Sequence, residues 1–281
     1  MKKVISASRR TDLVAFFPRW FSRSAWREEA QVYGPSGYTC TVDLRPSSVH
    51  TMVLWSKNFS NLLQNNYGLA DNLKKYDQLY LHFTITGLGG TFIESHVPFP
   101  FRTLSQIGPL LKLVGKPRRI SIRFDPVVYW REGEKVKTNL YYFEKMAPRL
   151  KEFGIKDIRF SFAQWYKKAR RRADKRDFDY VDPSPEEKKK AASYLSQIAQ
   201  KWDLNLYACS QKFLEEGPGV EPSACIDGNL LRELHPGKEP ASTKKDESQR
   251  RECHCTESVD IGSYTQFCPH CCLYCYANPR L

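Results

Sequence analysis

The sequence has no long hydrophobic run. Its longest purely apolar stretches, such as LVAFF at Leu13–Phe17, fall far short of the roughly 20 residues that a membrane span needs. The first residues, MKKVISASRRTD, hold two lysines but no apolar segment before polar residues return. No secretory leader and no membrane partner are therefore expected. The cytoplasm is then the expected compartment, where thiols stay reduced and clustered cysteines read as metal or redox sites. Also lacking are GxSxG, a Walker loop and HExxH, which removes the signatures of a nucleophile elbow, a phosphate-cradling loop and a zinc-helix peptidase. GLGG at Gly87–Gly90 reads most simply as a turn. No repeat and no linker divides residues 1 to 210.

What is present in excess is positive charge. The net charge is +13, and KKARRRADKR at Lys167–Arg176 alone carries seven cations against one acid. The matching partner is an anion: nucleic acid, nucleotide or a phosphate-rich surface. The alternative is a solvated helix face. Hydrophobic residues at 41% and aromatics at 13% of 281 residues suffice for a sizeable core. That length allows one or two domains, or a single α/β barrel. Nothing in the sequence fixes an oligomeric state.

Short β-branched and aromatic runs alternate with longer amphipathic ones. Strands are expected at KVISAS (3–8), YTCTVDL (38–44), HTMVLWS (50–56), QLYLHFTIT (78–86), RRISIRFDPVV (118–128), KDIRFSFA (156–163) and DLNLYAC (203–209). Helices are expected at 13–30, with Asp12 as N-cap and Pro18 as a break, at 103–115, at 139–154 and at 183–202, where Ser184 caps. Strands alternating with crossover helices imply a mostly parallel sheet. The expected fold is α/β: a TIM-like barrel over residues 1–210, partial or circularly permuted, with a cysteine-rich segment at 211–281 packed on the same domain. A doubly wound open sheet is the alternative. PGKEPASTKKDESQRR (236–251) reads as a mobile loop, and ESVDIGSY as one more strand running into the cysteines. In parallel α/β folds the site forms at the carboxyl ends of the strands. Arg9, Arg10, Lys57, Asn58, Arg123 and Asp125 fall there and are the candidate catalytic residues lining a cavity.

Of the nine cysteines, Cys40 alone lies before residue 208, and it is assigned to the core. The run CPHCCLYC at Cys268–Cys275 parses in two ways. Cys268-x2-Cys271 with Cys272-x2-Cys275 makes a double knuckle for tetrahedral zinc. Cys268-x3-Cys272-x2-Cys275 makes a three-thiolate set that holds three irons of a 4Fe–4S cluster and leaves the fourth open. An open iron can be chelated by S-adenosylmethionine, and one electron from a reduced cluster then releases a 5′-deoxyadenosyl radical. Such chemistry requires an electron donor. Tyr274 is an aromatic that could pack against adenine. Cys209, Cys225, Cys253 and Cys255 suit an auxiliary 4Fe–4S cluster or a structural zinc; alternatively, Cys209 and Cys225 are ordinary buried thiols. His254 and His270 lack the spacing of a standard metal site and read as supporting or exposed residues.

The C-x3-C-x2-C pattern resembles the radical S-adenosylmethionine superfamily, in which three cysteines bind the cluster and the neighbouring aromatic contacts the cofactor. That superfamily usually carries the motif near the start of a partial barrel. The wider chain resembles a family, domain of unknown function 1848, through VISASRRTD at Val4–Asp12, WSKN at Trp55–Asn58, RFDPV at Arg123–Val127, ACIDG at Ala224–Gly228 and CHCTESVDIGSYTQFCPHCCLYCYAN at 253–278. The resemblance implies a radical enzyme whose cysteine motif is C-terminal, and it supplies no substrate. This chain departs from the family pattern at Cys271, where glycine or another small residue is usual, so the three-thiolate set gains over the double knuckle. An end-placed motif fits a circularly permuted barrel in which ESVDIGSY closes beside KVISAS. Ser8, Arg9 and Arg10 would then touch the cofactor. The leading expectation is a radical enzyme acting on an anionic substrate, nucleic acid or nucleotide. The rival is a zinc-stabilised nucleic-acid-binding protein without catalysis, its basic run gripping phosphates.

Overall fold

The computed structural model describes residues 1–34 and 36–277. Eight strands build its main sheet: β1 Lys3–Ala7, β2 Val49–Ser56, β3 Leu79–Thr84, β4 Ile120–Val127, β5 Asp157–Phe162, β6 Asn205–Ala208, β7 Glu221–Pro222 and β8 Val259–Asp260. All pairings are parallel, in the order β7-β6-β5-β4-β3-β2-β1-β8. From β1 to β7 each strand lies beside the next in sequence. The last strand then returns to the free edge of the first, with Ile5 opposite Val259 and Ser6 opposite Asp260. Among the described residues no pairing joins β7 to β8, so the sheet stays open and no closed barrel forms.

Side chains alternate between the two faces of each strand. On one face Ile5, Met52, Leu81, Ile122 and Phe160 are fully buried in a core shared with Phe21, Leu110, Phe143 and Leu195 of the flanking helices. Each such side chain contributes about 1.5–3 kcal/mol on burial. The alternate positions are largely polar: Ser6, Trp55, His82, Ser121, Arg123 and Arg159. Residues 224–256 cover that face, with Cys225, Ile226, Leu231 and Leu234 packed on Val4, Val53 and Tyr80.

Local rules set the element ends. Asp12 caps the helix Leu13–Phe16 by accepting from the Ala15 amide, and Pro18 opens a second helix, Pro18–Arg27. The helix expected over 13–30 therefore breaks in two, and its tail becomes a strand, Glu29–Tyr33, paired antiparallel with Thr39–Asp43. Cys40 sits on that hairpin and is exposed, not in the core, because only Val42 of its strand turns inward to burial. Ser184 and Glu187 form a reciprocal capping box for Pro185–Lys201. The segment expected to be a mobile loop is tied down: Lys245 bridges Thr256, and Ala241 and Asp246 are buried. A helix, Gly228–Leu234, capped by Asp227, anchors the stretch before it. No helix among the described residues is long and apolar enough to cross a membrane.

Candidate metal centre

A cavity of about 340 Å³ opens at the carboxyl ends of β1 to β6. Ser8, Arg9, Arg10, Lys57, Arg123, Asp125 and Tyr274 line it, together with Cys268, Cys272 and Cys275 and with Cys209, Cys225, Cys253 and Cys255. Two cysteine sets that are separate in sequence thus share one chamber. Asn58 does not line it; its side-chain oxygen accepts from Ser60 and Gln106 and fixes the start of the helix Ser60–Leu63. Cys271 does not line it either. Its backbone has φ +55°, the left-handed region that glycine occupies without strain. Asn278, the last residue of the quoted motif, lies outside the described residues. A wider hollow of about 790 Å³ around Arg19, Arg23 and Tyr67 holds no thiol.

The three-cysteine loop is pinned from several elements. His270 is buried, donates through Nε2 to Asp12 (2.8 Å) and packs edge-on against Phe16. Asp12 also accepts from Ser56 and from the Lys57 amide, so one carboxylate joins the start of the helix Leu13–Phe16, the end of β2 and the loop. His96 donates to the Pro269 carbonyl at 2.8 Å, and the Leu273 amide donates to Ile93 at 3.1 Å. The basic run forms the helix Lys167–Lys175, and its buried Arg172 donates to the carbonyls of Leu273 and Cys275. The Tyr276 hydroxyl donates to the Arg9 carbonyl at 2.7 Å.

Burial pushes the Cys268 thiol up to about 12 and raises Cys272 and Cys275 as well. Alone, these groups stay protonated at neutral pH. A metal cation would supply the compensating charge that makes them thiolates, so the donor set fits a thiophilic metal. Beside them, Lys57 Nζ donates to Glu94 at 2.8 Å, and Thr86 and Tyr274 donate to the same fully buried carboxylate. Burial pulls the Lys57 ammonium down, but the Glu94 carboxylate more than offsets it, and its pKa is raised.

The other four thiols run as a chain. The Cys209 and Cys225 sulfurs are 3.8 Å apart, Cys225 meets Cys255, and Cys255 meets Cys253. Donation from Cys209 and Cys255, with Arg123 beside it, holds Cys225 well below an ordinary thiol. Asp125 accepts from Arg123 and from Ser161. A tetrahedral zinc needs its sulfurs about 3.8 Å from one another. Among the described residues no three cysteine sulfurs come within 4.8 Å of one another. The four sulfurs therefore form a chain of close pairs and not a closed tetrahedron.

One other group has metal-like proximity: Asp77, His235 and Glu239, at the opposite end of the sheet. Lys2 already lies 2.9 Å from Asp77 and 3.1 Å from Glu239. The Gly237 amide donates to His235 Nδ1, which leaves the proton on Nε2, facing the carboxylates. That tautomer disfavours a cation there.

Sequence reasoning missed Glu94 and Asp260. Asp260, on β8, accepts from Ser6, Ser8, the Arg9 amide, Arg10 and the Gly262 amide. It sits inside the expected strand ESVDIGSY, and its acidity in an otherwise mixed strand was the only signal. Glu94 stands in a loop with no local pattern around it.

A family model described as Domain of unknown function (DUF1848) matches residues 4–277, and the chain belongs to that family. No curated protein matches the sequence.

Proposed function

We propose that this member of the family is a radical S-adenosylmethionine enzyme acting on an anionic substrate, a nucleotide or nucleic acid. The observation that carries the reading is the convergence of Cys268, Cys272 and Cys275, without Cys271, on one cavity at the strand ends. A 4Fe–4S cluster on those three thiolates would supply one-electron cleavage of S-adenosylmethionine to a 5′-deoxyadenosyl radical, given an external electron donor. The fold is read as a circularly permuted barrel missing one seam: β8 takes the place of a first strand, and the cysteine loop follows it. The parallel pairing of β8 with β1 supports this order.

The chain's own residues then have distinct jobs. Asp12, His270 and Arg172 hold the loop in one conformation. Glu94 fixes Lys57 and Tyr274 beside the cysteines and leaves the tyrosine ring facing the cavity, where an adenine could stack. Ser8, Arg9 and Arg10 border the same space. At the rim, Arg10 lies 4.8 Å from the Tyr264 ring, and Arg250 lies 5.6 Å from both Tyr166 and Tyr276. Arginine–aromatic pairs suit a flat, negatively charged ligand, by charge and by stacking. No disulfide joins the cysteines among the described residues, which fits a reducing cytoplasm.

Protein purified without oxygen should be brown, contain iron and sulfide, and release 5′-deoxyadenosine from S-adenosylmethionine once reduced with dithionite. Colourless protein with stoichiometric zinc overturns the reading in favour of a zinc-stabilised binding protein.

A further inference from the structure

The second cysteine set is not placed like a structural staple. Cys209, Cys225, Cys253 and Cys255 all face the cavity that the three-cysteine loop faces. Donors surround them. Arg123 Nη1 lies 2.8 Å from the Cys225 sulfur and Nη2 lies 3.9 Å from that of Cys209, while the Ile226 amide lies 3.5 Å from Cys255. The Arg9 charge lies beside Cys255, and its buried Nη2 has no hydrogen-bond partner among the described residues.

Both guanidiniums are fixed by one ring. Arg9 lies 5.2 Å and Arg123 5.3 Å from the centre of Trp55. Trp55 stacks on His82 at 4.1 Å and donates to Ser6 at 3.1 Å, so it cannot tilt freely. Asp125 pairs with Arg123 and Asp260 lies near Arg9, and negatively charged sulfurs would add to that compensation of two guanidiniums. Positive charge and N–H to sulfur bonds also favour the more reduced, more negative state of an iron–sulfur cluster.

We infer that Cys209, Cys225, Cys253 and Cys255 hold a second 4Fe–4S cluster open to the same cavity, and that Arg9 and Arg123, clamped on Trp55, raise its reduction potential. The inference shares its cavity with the radical reading but stands on different residues. The two arginines are positioning residues for this centre: they act through the cluster's charge.

The triple variant Cys268→Ala/Cys272→Ala/Cys275→Ala, reconstituted anaerobically with iron and sulfide, isolates the centre. It should stay brown, hold about four irons per chain and give a paramagnetic signal on reduction with dithionite. Zinc-loaded or metal-free protein overturns the site. In that background Arg123→Leu, and the milder Arg123→Gln and Arg9→Gln, should shift the midpoint potential downward. The glutamine variants keep the question answerable where leucine fails to fold, and an unchanged potential in them overturns the arginine role. If the parent protein makes no 5′-deoxyadenosine while the triple variant keeps its iron, the radical reading fails and the second centre stands. If the parent makes 5′-deoxyadenosine and the triple variant holds no iron, only the second centre fails.

Discussion

Replacing Asp260 by asparagine cuts the stitch between the first strand and the last. The carboxylate meets donors only: the Ser6 and Ser8 hydroxyls, Arg10, and the amides of Arg9 and Gly262. Asparagine keeps the shape but turns one acceptor oxygen into an NH2 donor. With its oxygen at the Oδ1 position, Ser8, Arg10 and Gly262 keep an acceptor, and Ser6 and the Arg9 amide face NH2 instead. The serine hydroxyl can rotate; the amide cannot. One orphaned amide costs about 1–3 kcal/mol, and weakening the charge-assisted bonds adds a similar amount. We expect a net loss of about 3 kcal/mol, since part of the network rearranges. With about 2.1 cal/mol/K of unfolding entropy per residue, a chain of 281 residues should then melt about 5 °C lower. Thermal unfolding followed by circular dichroism under nitrogen measures this, and iron per chain should fall as well, because β8 leads into the cysteine loop. An Asp260→Asn protein that melts within 1 °C of its parent with full iron would refute the reasoning; backbone pairing alone would then hold the seam.

Cys271→Gly relieves a left-handed backbone worth about 1 kcal/mol, so stability should hold or rise, with iron content unchanged; lost iron would place Cys271 among the ligands. Cys272→Ala should abolish 5′-deoxyadenosine release, and retained turnover would break the ligand set. Arg172→Ala frees the Leu273 and Cys275 carbonyls and should weaken iron retention roughly 10- to 100-fold, measured by competition with a chelator. Burial pushes the Tyr142 hydroxyl up to about 12, and it has no hydrogen-bond partner among the described residues. Its contribution to stability is complete below pH 10 and is lost as pH rises toward 12. Tyr142→Phe should therefore lose less stability than the parent between pH 10 and pH 12, by on the order of 1 kcal/mol after solvent screening, in urea titrations at both pH values. Equal losses in the two proteins would count against the assignment.

The central strands were legible because their apolar residues fall at alternate positions or in unbroken short runs: ISIRF and IRFSF announce β4 and β5 without tertiary help. Glu221–Pro222 is not legible, being two residues that pair only because β6 is already there. The three cysteines that meet at the cavity could be picked out because their spacing is local. Their supports could not. His270 meets Asp12 across 258 positions, and Tyr274 meets Glu94 across 180. No periodicity within one element encodes such a meeting. Arg172 shows the same limit: it is one cation in a run of seven, and only the helix's packing decides which of them turns inward.

The pairing of Ile5 with Val259 also sets a timetable. Those partners are 254 positions apart in the chain (259 − 5). At roughly 5–20 residues per second, a ribosome needs about 13 to 50 seconds to deliver the second after the first. During that interval the edge of β1 stands bare, and strands in that condition recruit wrong partners. Because the cysteine loop is translated later still, it can be completed only after the rest of the sheet has been made. If the loop takes up iron as proposed, that step follows the completion of the sheet, and a chain interrupted before Val259 lacks all three thiols.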